Sequence, residues 1–145
     1  MATNKILLYQ SINVYIEGEV YTNSDECIEI TKCINNVINS ICLNSKELLW
    51  LFSQTLQKKK HNSLFINSKR EIYFEYDIIH KCYHIYHRVK VHRVIISLTI
   101  EEIASMFNYR STILNRWRDL RISNISIEDD EPMDIDNEPT TINIY

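Results

Sequence analysis

Residues 81–98 show the clearest two-residue alternation in the chain. Tyr83, Ile85, Val89 and Val91 fall on one side, and His84, Tyr86, Arg88, Lys90 and His92 on the other. A period of two turns one face of a strand toward a core and the other toward solvent. Residues 5–21 alternate similarly, with Ile12, Val14 and Ile16 opposed to Asn13, Tyr15 and Glu17. They predict a half-buried strand with a bulge or bend at Glu17-Gly18-Glu19, where the only glycine stands. Tyr21 to Asp25 is turn chemistry. Cys27–Lys32 and Asn36–Leu43 are rich enough in Ile and Val for two further strands, turning at Asn35-Asn36. Residues 25–41 also suit a helix through Ile30, Ile34, Val37, Ile38 and Ile41. The strand reading is preferred because a matching later segment is β-branched and aromatic. Residues 64–67 and 70–79 read as a hairpin with its turn near Asn67-Ser68.

That later match is a repeat. Ile41 to Phe52 recurs as Ile96 to Phe107, with Leu43 over Leu98, Glu47 over Glu102, Leu48 over Ile103 and Phe52 over Phe107. The same offset sets Cys27 over Cys82, Ile30 over Ile85 and Ile34 over Val89. Each copy reads as a strand end, a polar helix start and an apolar helical stripe. In the first, Ser45 is the expected N-cap, Leu48, Leu49, Leu51, Phe52 and Leu56 the stripe, and Lys58-Lys59-Lys60 the end. In the second, Thr99 with Glu102 forms a capping-box pattern before Ile103, Met106 and Phe107. Beyond it either one helix runs on through Ile113, Leu114 and Trp117, or Asn108-Tyr109 divides it in two. The chain is thus one α+β domain over residues 1–121, built from two tandem strand-strand-strand-strand-helix repeats (about 5–60 and 63–121). Trp50 and Trp117, on helical stripes, are assigned to core or subunit contact rather than to binding.

Charge divides the chain more sharply than its net value of −3 suggests. Residues 1–57 hold three basic and six acidic side chains; residues 58–121 hold thirteen basic and six acidic; residues 122–145 hold seven acidic and none basic. The last segment, with both prolines, reads as a disordered acidic tail ending in Ile142-Asn-Ile-Tyr145. The chain contains 24 Ile and 14 Asn against 2 Ala, a bias expected of an AT-rich genome such as a virus or plasmid. No run of apolar residues is long enough to span a bilayer, and the four cysteines lack C-x-x-C spacing. The expectation is a soluble, intracellular, cytoplasmic protein with reduced thiols (a host nucleus being compatible) and no membrane association.

Two such repeats, with Ile96-Ser-Leu-Thr-Ile-Glu-Glu102 at the last strand-to-helix turn, resemble the PC4/Whirly/PUR-repeat group of single-stranded-nucleic-acid-binding proteins. The resemblance covers residues 5–120 and lies in element order and spacing. It implies paired repeats with helices on one side and curved sheets outward, and further association into a homo-oligomer. It also implies non-sequence-specific binding of single-stranded DNA, with RNA accepted by the same chemistry. The role implied is to protect or organise single strands in the replication or transcription of an AT-rich extrachromosomal or viral genome. The acidic tail, similar to those of replication-type binders, implies docking of replication or transcription proteins. The first copy departs from the pattern because its sheet has few basic residues.

Such binding needs cations for phosphates and flat rings for stacking, each stacked base contributing about 1–3 kcal/mol. The second copy interleaves both kinds of group: Arg70, Tyr73, Lys81, His84, Tyr86, Arg88, Lys90 and Arg93, with Tyr86, Arg88 and Lys90 expected on one strand face. Tyr15 offers an outward ring in the first copy. The plainer reading of any one of these is a solvated sheet face. His80, Cys82, His84 and His87 suggest a metal site but lack paired ligands at a recognised spacing, so no metal or other cofactor is expected. No glycine-rich phosphate loop or nucleophile constellation is present, and the chain is read as a non-enzyme.

Two rival functions remain. Thr99–Asn108 with Ser111–Leu120 fits a helix-turn-helix duplex-binding regulator, with Arg110, Asn115, Arg116 and Arg118 reaching the major groove. A non-DNA accessory or scaffold protein acting through the acidic tail is the other. A five-stranded OB barrel would serve the same function, but two matched helices argue against it.

Overall fold

The computed structural model describes residues 4–22 and 25–128, and side chains as far as Arg121 to Ser123 on the last helix. It contains two tandem four-stranded antiparallel sheets, each followed by a helix. Sheet 1 runs β1 (Lys5–Gln10), β2 (Val14–Tyr21), β3 (Cys27–Ile34) and β4 (Val37–Asn44), followed by α1 (Ser45–Leu56). Sheet 2 runs β5 (His61–Asn67), β6 (Arg70–Asp77), β7 (Cys82–Val89) and β8 (His92–Thr99), followed by α2 (Ile100–Asn108) and α3 (Arg110–Glu128). Both are simple meanders in which each strand pairs with the next. This is the tandem-repeat α+β architecture read from the sequence, and it is consistent with a Whirly/PC4/PUR-like fold.

Local chemistry explains most boundaries. Asn35 and Asn36 turn the β3–β4 hairpin with φ of 51° and 69°. Two successive left-handed residues make the hairpin turn whose twist matches its strands, and asparagine tolerates that conformation. Residues 25–41 are therefore strands, not helix. The segment 5–21 forms two strands rather than one, because Ser11-Ile12-Asn13 reverses the chain. Ile12 is consequently fully exposed and does not share the buried face of Ile16. The irregularity in pairing falls in the β1–β2 ladder, between Leu7 and Tyr9 and opposite Glu17 and Ile16, while Gly18 itself is paired with Ile6 and Ile30. The N-cap of α1 is Asn44, one residue before Ser45: its side chain accepts from Glu47 N–H, and Glu47 returns a bond to Asn44 N–H. Thr99 and Glu102 close the predicted box at α2. Tyr109 separates α2 from α3, and α3 continues to Glu128, past Ile122 where the sequence pattern changes. The acidic stretch 129–145 lies outside the described residues.

The helices cross over between repeats. From α1, Trp50 packs on Phe74 of sheet 2 at 5.5 Å, and the Thr55 and Lys59 carbonyls accept from the Tyr83 hydroxyl. From α2, Ser105 Oγ donates to the Leu8 carbonyl of sheet 1 at 2.6 Å. In α3, Trp117 is buried and donates its Nε1–H to the Cys27 carbonyl at 2.9 Å. Phe52 and Phe107, equivalent in the repeat, meet edge to face at 5.4 Å where α1 contacts α2. A two-fold relation between the repeats follows from these reciprocal contacts.

Two contacts to the capping glutamates obey the same relation. Lys32 on β3 reaches Glu102 of α2 at 2.8 Å, and its repeat equivalent His87 on β7 reaches Glu47 of α1 at 3.0 Å. Each helix-capping glutamate is thus held by the other repeat. Glu47 is fully buried and also takes two bonds from Arg70, at 2.7 and 2.9 Å. Burial alone would raise its carboxyl, but bonds from His87, Arg70 and the Asn44 N–H outweigh that and lower it to about 2. Burying each large core side chain contributes roughly 1.5–3 kcal/mol, so apolar closure joins the repeats. Removing one member of a buried pair still costs about 3–5 kcal/mol, because the other charge is stranded.

Candidate nucleic-acid interface

Strand register orders the outer face of sheet 2 into rows running across the strands. The central row is Ser63, Tyr73, Tyr86 and Ile95. Tyr73 and Tyr86 stack with centroids 4.6 Å apart and planes 8° from parallel. Tyr73 is 36% exposed and Ile95 45% exposed, while small Ser63 leaves the far side of Tyr73 uncrowded. The next row toward the β7–β8 turn is Phe65, Glu71, Arg88 and Arg93. Phe65 is exposed, Arg88 Nε sits 3.4 Å from Glu71, and Arg93 takes part in no ion pair among the described residues. Glu71, Tyr73, Tyr86, His87, Arg88 and Arg93 line a shallow groove of about 210 Å³. The row on the other side of the tyrosines is His61, Glu75, His84 and Ser97. Tyr86 reaches Glu75 with its hydroxyl at 3.3 Å, and burial, then the Glu75 carboxylate, push its phenol up.

Of the residues expected to bind, Tyr73, Tyr86, Arg88, Arg93 and His84 share this face. Lys81 and Lys90 do not. Both occupy turns, with φ of 56° and 59°, at opposite ends of the sheet. The alternation that placed Lys90 beside Arg88 stops at Val89, although Arg88 still donates to the Lys90 carbonyl at 3.2 Å. Lys90 N–H bonds the Lys69 carbonyl, so two hairpin tips bring Lys69 and Lys90 together at that rim. At the other rim stand Lys81 and Lys60, the latter with its ammonium 5.0 Å from the Tyr76 ring. Arg70 points to the opposite side of the sheet, into the buried Glu47 pair. Tyr15 lies on sheet 1, apart from the other rings, in a row of Gln10, Cys33 and Ile38.

Sequence reasoning left open how the acidic residues of β6 meet the basic ones of β7. Glu71, Tyr73, Glu75 and Asp77 alternate along β6 on the same outer face, and β7 sets Arg88 opposite Glu71 and His84 opposite Glu75. The period of two was visible in β6 as well as in β7, but the pairing register was not. His87, at an odd position, belongs to the core face and is 3% exposed. The helix pair α2–α3 turns Ile113 and Trp117 into the core and leaves Asn115 and Arg118 exposed, while Arg110 lies over the Phe107 ring at 4.0 Å. No helix is long and apolar enough to cross a membrane among the described residues. No protein-family model matches the chain, and no curated protein matches it.

Proposed function

We propose that this chain binds single-stranded nucleic acid, DNA foremost, on the outer face of sheet 2. One observation carries the reading: a parallel Tyr73–Tyr86 stack, exposed at Tyr73 and half-buried at Tyr86, beside two guanidinium groups, with lysines at both rims. A stacked pair extends naturally by one more ring, and bases supply such rings without regard to sequence. Arg88 and Arg93 then meet the backbone on one side of the stack. Glu71 and Glu75 oppose a polyanion, so affinity rests on stacking more than on charge, and duplex DNA, whose bases are already stacked, gains little from this face. Protection or organisation of single strands in copying or transcribing an AT-rich viral or extrachromosomal genome is the corresponding role. Self-association and the docking of replication or transcription proteins on the acidic tail belong to the same proposal.

Fluorescence anisotropy with a labelled single-stranded oligonucleotide, a duplex competitor and a salt series tests this. The expectation is binding that duplex does not compete away, weakened about 5- to 150-fold per ring in Tyr73→Ala and Tyr86→Ala, the equivalent of ~1–3 kcal/mol each. Equal competition by duplex would move attention to Arg110, Asn115 and Arg118. Absence of binding at low salt, in the full chain and with residues 129–145 removed, would leave an accessory role through the tail.

A further inference from the structure

The β6–β7 turn closes the end of sheet 2 away from Arg88 and Arg93, and three side chains with metal-binding atoms converge there, with His80 beside one of them. Asp77 and Cys82 face each other across the ladder, and His84 is two residues along β7 on the same face. A carboxylate oxygen of Asp77, Sγ of Cys82 and a ring nitrogen of His84 all lie within 4.8 Å of one another. His80, in the turn itself, sets Nδ1 at 2.7 Å from Asp77 Oδ2, the oxygen that His84 Nε2 approaches at 2.9 Å. The other oxygen, Oδ1, accepts the backbone N–H groups of Ile79 and His80, both at 3.0 Å. The turn thus fixes the carboxylate and aims Oδ2 at both imidazoles.

We propose that Asp77, His80, Cys82 and His84 form a binding site for one zinc-class divalent cation. Zinc takes four ligands drawn from thiolate, imidazole and carboxylate, and a tetrahedron with bonds of 2.0–2.3 Å puts ligand atoms roughly 3.3–3.8 Å apart. Among Asp77, Cys82 and His84 the separations run from 2.9 Å to within 4.8 Å and bracket that spacing, and His80, 2.7 Å from Asp77, joins them by rotation of its exposed side chain. One thiolate and two imidazoles select a borderline-soft metal over calcium or magnesium. His84 also carries an outer partner, since its Nδ1 lies 2.7 Å from Ser97 Oγ and a proton held there leaves Nε2 as the ligating atom. Thiolate is the ligating form of Cys82, so binding replaces its proton by the metal and releases that proton to solvent. The ion enters past His80, whose side chain is 74% exposed. Spacing rules overlook the set because it is Asp-x2-His-x-Cys-x-His around one turn, not two paired loops. The site is separate from the tyrosine stack and stands whether or not that face takes nucleic acid.

Titration of the chelator-treated full chain with cobalt(II), followed by absorption, tests it. One equivalent should give the intense visible bands of tetrahedral cobalt and a thiolate-to-cobalt charge-transfer band, both abolished by one equivalent of zinc. Cys82→Ser should lose the charge-transfer band. His80→Ala, at an exposed turn position where folding is not at stake, should weaken cobalt about tenfold or more with an unchanged circular-dichroism spectrum, and His61→Ala should leave it unaltered. A weak octahedral spectrum without charge transfer would overturn the site, as would a charge-transfer band surviving in both Cys82→Ser and His80→Ala.

Discussion

The two sheets share one ladder plan but fill and decorate it differently. At one inner position of the second strand, sheet 1 has Gly18, between Ile6 and Ile30, where sheet 2 has Phe74, between Asn62 and Ile85. The helical residue packing Phe74 is Trp50; its repeat equivalent on α2 is Ser105, which only bonds the Leu8 carbonyl. Sheet 1 recovers the missing bulk from α3, through Trp117, a helix for which the first repeat has no counterpart. Outside, the rows of sheet 1 hold Glu17, Glu19 and Glu29 against a single Lys5, while sheet 2 holds stacked tyrosines, two arginines and two histidines among its carboxylates. A repeated frame lets one copy anchor an extra helix while the other develops a chemically varied surface.

The largest test of that asymmetry is on the two capping glutamates. Glu47 holds Arg70, His87 and its own cap, whereas Glu102 holds Lys32 and its cap. Glu47→Ala should cost about 3–5 kcal/mol, since it strands a buried histidine and a partly buried arginine. Glu102→Ala should cost clearly less, because Lys32 retains the Ser97 carbonyl at 2.8 Å. Urea unfolding at neutral pH measures both, and equal losses would refute the difference. Acid sharpens the same contrast. The Glu47 carboxyl is depressed to about 2 in the fold, against ~4.3 unfolded, so its contribution is whole above the unfolded value and drains as pH falls toward 2. Wild type should therefore lose stability more steeply across that window than Glu47→Gln, in which this slope is gone.

A smaller effect is expected at Gly18. A Cβ there would lie 2.7 Å from Ile28 Cδ1 and 3.0 Å from Leu8 Cδ1. Both are ends of side chains, so the core yields at a cost of about 1–3 kcal/mol. Gly18→Ala should lower the unfolding free energy measured in urea by that amount, and a neutral result would mean that sheet 1 has slack that its close packing does not suggest.

The repeat was legible because hydrophobic period and capping chemistry are local. Ile41 to Phe52 and Ile96 to Phe107 each encode a strand end, a cap and a stripe within twelve residues. What the sequence left open was everything set by pairing between distant segments. Arg70 reads as an outward cation until Glu47, 23 residues earlier and on a helix of the other repeat, is brought under it. Lys90 reads as part of a strand because period alone does not mark where β7 gives way to a turn. Tyr73 and Tyr86 were each visible as outward rings, but their stacking depends on a register that only the folded ladder fixes. His80, Cys82, His84 and His87 read together in sequence, but the ladder turns His87 into the core against Glu47 and the turn brings Asp77 beside the other three.

The smallest expected effects concern charge on the proposed binding face, where sheet 2 differs from sheet 1 by Arg88 and Arg93. Among the described residues Arg93 has no ion pair to surrender, whereas Arg88 must first leave Glu71. Each phosphate neutralised on a single strand contributes roughly 0.7 to the slope of log affinity against log salt. Arg93→Ala should therefore flatten the slope by close to that amount, and Arg88→Ala by less. Glu71→Gln should act in the opposite direction, tightening single-strand binding a few-fold at low salt by releasing Arg88 and removing a like charge from the phosphate path. An unchanged slope in all three variants would place the phosphates on the lysine-bearing rims, with the tyrosine row alone left to face the bases.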